Sequence, residues 1–144
     1  MAIVDNTLVF SDGQAITGDA GSTNIIDTLA PGTPYGYSAA LTRDIGIGET
    51  IPILVSVTEA FNTLTSLTIS LQVDNDVAFG SPKTVATTGA IALASLTLGY
   101  QFKFPAMLPE GTDERYIRLY YDVTGTNPTL GKIFAGVVGG RQTA

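Results

Sequence analysis

Residues 115–123 read Arg115-Tyr116-Ile117-Arg118-Leu119-Tyr120-Tyr121-Asp122-Val123, and they follow an acidic, glycine-containing turn at residues 109–114. Side chains alternate across a β-strand, so every second residue lies on the same face. One face carries the groups expected in a core, which are Ile117, Leu119, Tyr121 and Val123. The other face carries Tyr116, Arg118, Tyr120 and Asp122. The alternation therefore predicts a strand with one buried and one exposed face.

The exposed face of this strand has two interpretations. Tyrosine and arginine are enriched where protein interfaces concentrate their binding energy, so Tyr116, Arg118 and Tyr120 are candidate contact residues. They can equally stabilise their own sheet, since cross-strand aromatic and charged neighbours contribute roughly 0.2–1 kcal/mol per pair. In that case Arg115 and Arg118 are expected to form exposed ion pairs with the carboxylates nearby in sequence, Asp113, Glu114 or Asp122.

The same period of two recurs along the chain. Residues 65–73 place Leu67, Ile69, Leu71 and Val73 on one face of a predicted strand. Residues 51–57 form another, and Pro52 near its beginning indicates a strand start or a sheet edge. Further strands are predicted from Leu96 to Phe104 and from Lys132 to Val138. Residues 90–95 are rich in Ala and Leu and are open to a short helical turn.

Gly, Pro, Asn and Asp clusters separate these apolar runs, for example at residues 11–13, 31–34, 74–76 and 125–128. Together with about eight short strands they predict an all-β fold, an antiparallel β-sandwich or jelly roll with little or no helix. No repeat or change in composition divides the chain, so residues 1–144 are expected to form a single domain. Several Greek-key strand orders satisfy the same alternation.

Composition limits the chemistry that this protein can perform. The 144 residues include no His, no Cys and no Trp. Thiol nucleophiles, imidazole bases, disulfides and the common zinc ligand sets are therefore excluded. We expect a protein that works by binding and is not an enzyme, with no catalytic residues, no cofactor and no metal site.

Two acidic clusters have alternative interpretations. Asp74-Asn75-Asp76 offers oxygen ligands of the kind that calcium takes, but the Gly and later Glu of an EF-hand loop do not follow it. Asp and Asn are also common turn residues. Glu110, Asp113 and Glu114 could supply paired carboxylates for glycoside hydrolysis, but they lie together in one short turn. The turn interpretation is favoured for both clusters.

Charged residues are scarce, and the balance between them is acidic. They make up 14% of the chain, against about 25% in a typical soluble domain, which favours association with other subunits. The net charge of −6 with seven Lys and Arg residues argues against direct nucleic-acid binding. No apolar run approaches the ~18 residues of a membrane span, and the N-terminus lacks the pattern of a secretory signal. We therefore expect assembly in a cytoplasm, without membrane contact.

Several segments carry a resemblance through their order and spacing. They are Leu8-Val9-Phe10-Ser11-Asp12, Arg43-Asp44-Ile45-Gly46-Ile47-Gly48-Glu49, Leu67-Thr68-Ile69-Ser70-Leu71-Gln72-Val73-Asp74, Phe79-Gly80-Ser81-Pro82 and Glu114-Arg115-Tyr116-Ile117-Arg118-Leu119-Tyr120-Tyr121. In these segments the chain resembles the small capsid cement proteins of tailed phages typified by the Bordetella-phage family. The resemblance covers most of the chain.

This resemblance implies a jelly-roll protein without a catalytic site, located on the outer surface of a phage head and assembled in the host bacterial cytoplasm. It implies the major capsid protein as the partner, with adjacent capsid subunits clamped against the pressure of the packaged DNA. It also implies a homo-oligomer, for which a dimer is favoured and a trimer is the alternative.

Residues 30–40 depart from the family pattern as an apparent insertion. This loop holds Tyr35 and Tyr37 among Gly and Pro residues, a composition that offers rigid aromatic contact area. It is either an arm that reaches a neighbouring subunit or a surface loop whose tyrosines lie back on their own sheet. A carbohydrate-binding or adhesin-type sandwich and a carboxylate hydrolase are the alternative functions.

Overall fold

The computed structural model describes residues 4–45, 51–103 and 108–140, and over these ranges the chain forms nine β-strands and one short 3-10 helix. The strands are β1 (Val4–Ala15), β2 (Ala20–Gly21), β3 (Ile26–Asp27), β4 (Ile53–Glu59), β5 (Leu64–Asp74), β6 (Lys83–Thr87), β7 (Ile91–Ala92), β8 (Tyr116–Gly125) and β9 (Lys132–Val138). The 3-10 helix spans Leu93–Ser95. The protein is all-β, as the alternation predicted.

The strands form two antiparallel sheets. One sheet has the order β1-β9-β4. The other has the order β2-β8-β5-β6, with β3 also paired to β8 and β7 also paired to β5. Because β2 and β3 follow one another along β8, and β6 and β7 along β5, each pair occupies a single strand position of the sheet.

Residues 99–102 form an irregular segment beside β4, which fills an eighth strand position. The Gly99 amide donates to the Val57 carbonyl (2.9 Å), the Val57 amide to the Tyr100 carbonyl (2.9 Å) and the Phe102 amide to the Val55 carbonyl (2.9 Å). With this segment, each sheet has four strand positions, and the two sheets exchange strands along the chain. Eight positions arranged in this way form a jelly roll.

The core lies between the two sheets and is built mainly from alternate residues of β5, β8, β4 and β9. Leu71 faces Leu119 and Ile69 faces Tyr121 across the β5–β8 pair, and all four side chains are fully buried. The Tyr121 hydroxyl lies 2.7 Å from the Ser11 hydroxyl, which donates to Gln14 Oε1 (2.7 Å). This buried hydrogen-bond chain joins β8 in one sheet to β1 in the other.

Most of the predicted strands are confirmed. Alternation in residues 116–123 corresponds to β8, with Ile117, Leu119 and Tyr121 buried and Asp122 exposed. The strands predicted at residues 65–73 and from Lys132 to Val138 correspond to β5 and β9. Pro52 indicated either a strand start or a sheet edge. β4 begins at Ile53 and has neighbours on both sides, β9 and the irregular segment, so Pro52 marks a strand start. Residues 90–95 were open to a short helical turn, and the structure has the two-residue strand β7 followed by the 3-10 helix Leu93–Ser95 there.

The strand predicted from Leu96 to Phe104 is wrong as a regular strand. Its described residues form a turn followed by a single bridge between Gln101 and Ser56. Leu96 and Phe102 are buried, but Leu98 is 71% exposed, so the apolar residues do not share a face. The reason is a turn at Gly99, which has a positive φ of 83°, closed by a hydrogen bond from the Tyr100 amide to the Thr97 carbonyl (3.0 Å). Phe104 lies outside the described residues.

Candidate protein interface

An arm, defined here as residues 29–42, projects from the sandwich between β3 and β4. All of its residues are exposed except Pro34, which is half-buried. The arm has no charged residue in a chain whose net charge is −6. It contains the predicted insertion at residues 30–40. A long, exposed and uncharged segment has an apolar surface that is available to a partner.

The tip of the arm carries the two tyrosines that the sequence singled out. Tyr35 is fully exposed and Tyr37 is 73% exposed, so neither ring lies back on its own sheet. Gly36 between them has a φ of 84°, and the Tyr37 amide donates to the Pro34 carbonyl (3.1 Å), which makes a tight turn at the tip. Further back, the Leu41 amide donates to the Gly32 carbonyl (3.0 Å) and holds the two sides of the arm together.

The root of the arm is fixed to the turn that precedes β8. Arg43 donates through Nη1 to the Thr28 hydroxyl (2.6 Å) and through Nη2 to the Leu29 carbonyl, so one guanidinium closes the base. The Thr28 hydroxyl in turn donates to the Arg115 carbonyl (2.8 Å). On the returning side, Asp44 accepts a hydrogen bond from the Gly111 amide (2.8 Å). The arm is therefore anchored at both ends to residues 111–115.

An ion pair reinforces this root. The Arg115 Nε and Nη2 groups donate to the two carboxylate oxygens of Asp27, each at 2.8 Å. Hydrogen bonding to Arg115 lowers the pKa of Asp27 from 3.8 to about 2. Leu29 follows two residues later with a positive φ of 64°, which is rare for a residue with a side chain. The chain therefore turns sharply at the point where the arm leaves the sandwich.

The sequence-based expectation for the arginine partners is wrong for Arg115, and among the described residues Arg118 makes no ion pair within 4 Å. Arg115 binds Asp27, and Asp113 instead pairs with Lys83 at 3.0 Å. The reason is the pairing of β3 with β8, which sets Asp27 opposite Tyr116 and so beside Arg115. Short sequence separation favoured Asp113, Glu114 and Asp122, but the sheet register decided the contact.

Tyr116, Arg118 and Tyr120 are half-buried on the outer face of the larger sheet. The Arg118 guanidinium carbon lies 4.1 Å from the centre of the Phe79 ring and 5.4 Å from that of Tyr120. Arg115 similarly lies 4.9 Å from the centre of the Tyr116 ring. Arg118 thus stacks with Tyr120 and Phe79, and Tyr116 stacks with Arg115. Tyr35 and Tyr37 lie on the separate arm.

The acidic clusters are used in turns. Asp74 accepts hydrogen bonds from the Asp76 amide (2.9 Å) and the Ser81 amide (3.0 Å), and Asp76 accepts one from the Ala78 amide (3.0 Å). Glu110 is exposed and Glu114 half-buried in the turn before β8.

Over residues 4–45, 51–103 and 108–140, no group of three or more His, Cys, Asp or Glu side chains is placed to hold a metal ion. No helix in these ranges is long and apolar enough to cross a membrane.

Sequence reasoning missed Asp27, Thr28 and Arg43 at the arm root, and Phe79 beneath Arg118. Their partners are distant in sequence, with Asp27 and Arg115 separated by 88 positions, so no local pattern marks them.

A search of curated proteins finds no match to this chain. The Bbp16 family model matches residues 10–137, which include the second half of β1, all of β2 to β8 and all but the last residue of β9. The chain therefore belongs to the Bbp16 family of bacteriophage proteins.

Proposed function

We propose that this protein is a capsid cement protein of a tailed phage, which binds the outer surface of the head and clamps adjacent major capsid subunits. It acts by binding and not by catalysis, and it needs neither a cofactor nor a metal ion. Many bound copies stabilise the shell against the pressure of the packaged DNA. Membership of a phage protein family and the jelly-roll sandwich support this role.

The observation that carries the proposal is the arm, because a sandwich with a projecting contact segment can engage two neighbours at once. Tyr35 and Tyr37 offer large aromatic surfaces with few rotatable bonds, so little side-chain entropy is lost when they are buried in a partner. The anchored root limits the directions in which the tip can move. Limited motion of the free arm lowers the entropic cost of binding.

Two contact regions on one molecule also explain why a modest surface is enough. A standard interface buries about 1,600 Å² in total, and area alone does not set affinity. Once the sandwich is bound to one capsid subunit, the arm meets its neighbour at a high effective concentration. Self-association adds further contacts of the same kind, and a dimer is favoured over a trimer.

Phage heads assembled without this protein provide the test. Purified protein is added to such heads, and the bound fraction is measured by co-sedimentation over a range of concentrations. We expect saturable binding of the unchanged protein. The double variant Tyr35→Ser/Tyr37→Ser is expected to bind at least about tenfold more weakly, because aromatic residues dominate interface energies and about 1.4 kcal/mol corresponds to a factor of ten.

The matched control is Leu130→Ser, which removes another exposed apolar side chain, outside the arm. It is expected to bind like the unchanged protein. Failure of the unchanged protein to bind heads would overturn the proposed function. If the double variant binds heads as tightly as the unchanged protein does, the protein still binds the head but the arm tyrosines do not contribute to that binding.

A further inference from the structure

Arg118 holds its guanidinium group in a defined position on the outer face of the larger sheet. Its Nε donates to Gln72 Oε1 (2.9 Å) on the neighbouring strand β5, and the group lies over the Phe79 ring and beside that of Tyr120. Gly21 on β2 borders the other side, where a Cβ atom would come within 3.3 Å of Nη1. The group is thus surrounded by three strands and one loop.

The Nη1 and Nη2 groups of Arg118 have no acceptor among the described residues. A guanidinium has five N–H donors, and here one of them is used, by Gln72. Asp74 is the acidic neighbour whose charge acts on Arg118, but its two oxygens accept the Asp76 and Ser81 amides. No fully buried side-chain nitrogen in the described ranges is left without a partner, so these Nη groups are not fully buried.

The loop beneath Arg118 is strained in a way that fixes the aromatic ring. Phe79 has a positive φ of 52°, a conformation that residues with side chains seldom adopt, and its side chain is nevertheless buried. Its amide donates to the Asp76 carbonyl (3.0 Å), and Asp74 holds both ends of the loop. Backbone strain of this kind is concentrated at ligand and partner contacts, where it preorganises a group for binding.

We propose that Arg118 is the receptor for a carboxylate of the capsid protein, an Asp or Glu side chain that binds the free Nη groups next to Phe79 and Tyr120. The inference rests on the proposed function and specifies the chemistry of its partner. An arginine fork matches the two oxygens of a carboxylate, and a stacked guanidinium needs little reorganisation to bind one.

Charge complementarity favours a single carboxylate over a phosphate polymer. Asp74 is the acidic neighbour whose charge acts on Arg118, and the chain as a whole carries a net charge of −6. A polyanion such as a nucleic acid would be repelled by this surface, because its binding needs several neutralising cations. One carboxylate on a protein partner requires one cation, which Arg118 supplies.

The test uses the same heads assembled without the protein. Arg118→Gln removes the charge and the fork, and we expect at least a tenfold loss of affinity at a temperature where circular dichroism shows the variant to be folded. Arg118→Lys keeps the charge but not the planar stack, so an intermediate loss is expected. Thr124→Lys, at an exposed position on the same face of β8, is the control and should bind normally.

A carbodiimide cross-linker then identifies the partner group. The reagent activates a carboxylate, and a neighbouring amine displaces the urea to form an amide bond. We expect the amine introduced by Arg118→Lys to become linked to an acidic residue of the major capsid protein, as read by mass spectrometry of the linked peptides, and the amine introduced by Thr124→Lys to remain unlinked.

The outcomes separate the two proposals. Heads that bind the unchanged protein and Arg118→Gln equally well overturn the carboxylate receptor and leave the cement function standing. If Arg118→Lys binds the heads but its introduced amine forms no link to the major capsid protein, the carboxylate receptor is overturned as well. Heads that do not bind the unchanged protein at all overturn the cement function and, with it, the capsid protein as the partner of Arg118.

Discussion

Asp27 and Arg115 show how individual residues hold the arm to the sandwich. Both carboxylate oxygens of Asp27 accept hydrogen bonds from the guanidinium, and Asp27 Oδ1 also accepts one from the Leu29 amide (2.8 Å). These bonds favour the charged carboxylate, which is why the pKa of Asp27 falls from 3.8 to about 2. The pair is exposed, so its effect is a local one on the arm root.

The depressed pKa of Asp27 predicts a pH-dependent stability. A carboxyl with a lowered folded-state pKa stabilises the protein above its ordinary value of 3.8, and that stabilisation is lost as the pH falls through about 2. Asp27→Asn is therefore expected to lower Tm at neutral pH, with the difference from the unchanged protein shrinking between about pH 4 and pH 2. Melting curves by circular dichroism across this range measure it.

The control for that experiment is Asp122→Asn, at an exposed carboxylate on β8. It is expected to change Tm little, because surface substitutions outside special contacts are usually close to neutral. A Tm difference for Asp27→Asn that stays the same from pH 6 to pH 2 would contradict the assigned ion pair.

At the scale of single residues, the sequence predicted where a side chain points better than what it contacts. Ile117, Leu119 and Tyr121 are buried as their alternation indicated. The sequence left open whether Tyr35 and Tyr37 lie back on their own sheet, and the structure shows both exposed. The Arg115 and Arg118 contacts could not be predicted, since Asp27, Gln72 and Phe79 reach them through the sheet register and a distant loop.

Among the elements, the strands that could be predicted are those with a partner on both sides. β5, β8 and β9 each lie inside a sheet, so their register is fixed on two edges and the alternation is preserved over their length. The segment beside β4 lies at the edge of its sheet, and the hydrogen bonds that Gly99, Tyr100 and Phe102 make to a strand, within the part of the chain that the structure describes, go to β4. A glycine turn could therefore interrupt it at Gly99 without breaking a second ladder.

Two matched leucines test this description of the irregular segment. Leu96 is 1% exposed and Leu98 is 71% exposed, although a regular strand would place both in the core. Leu96→Ala is expected to lower the free energy of unfolding by about 2–5 kcal/mol, as is usual for buried leucines. Leu98→Ala should change it by less than about 0.5 kcal/mol. Urea denaturation measures both, and similar losses for the two variants would contradict the observed turn.

For the whole molecule, the fold class was predictable but the strand order was not. Alternation fixes which side of a strand is buried, and many Greek-key orders satisfy it equally. The jelly roll becomes visible only when the irregular segment is counted beside β4. The projecting arm and the stacked Arg118 are further properties of the assembled chain, and the proposed clamp uses them as its two separate contact regions.

A capsid cement protein is a component of the phage head. Its copy number in purified particles of the phage that encodes it is measured by quantitative mass spectrometry against the major capsid protein. The cement function predicts a fixed ratio, close to stoichiometric with the capsid protein. Absence from the particle, or only a handful of copies, would contradict it and would favour an adhesin or carbohydrate-binding role on a tail or a cell surface.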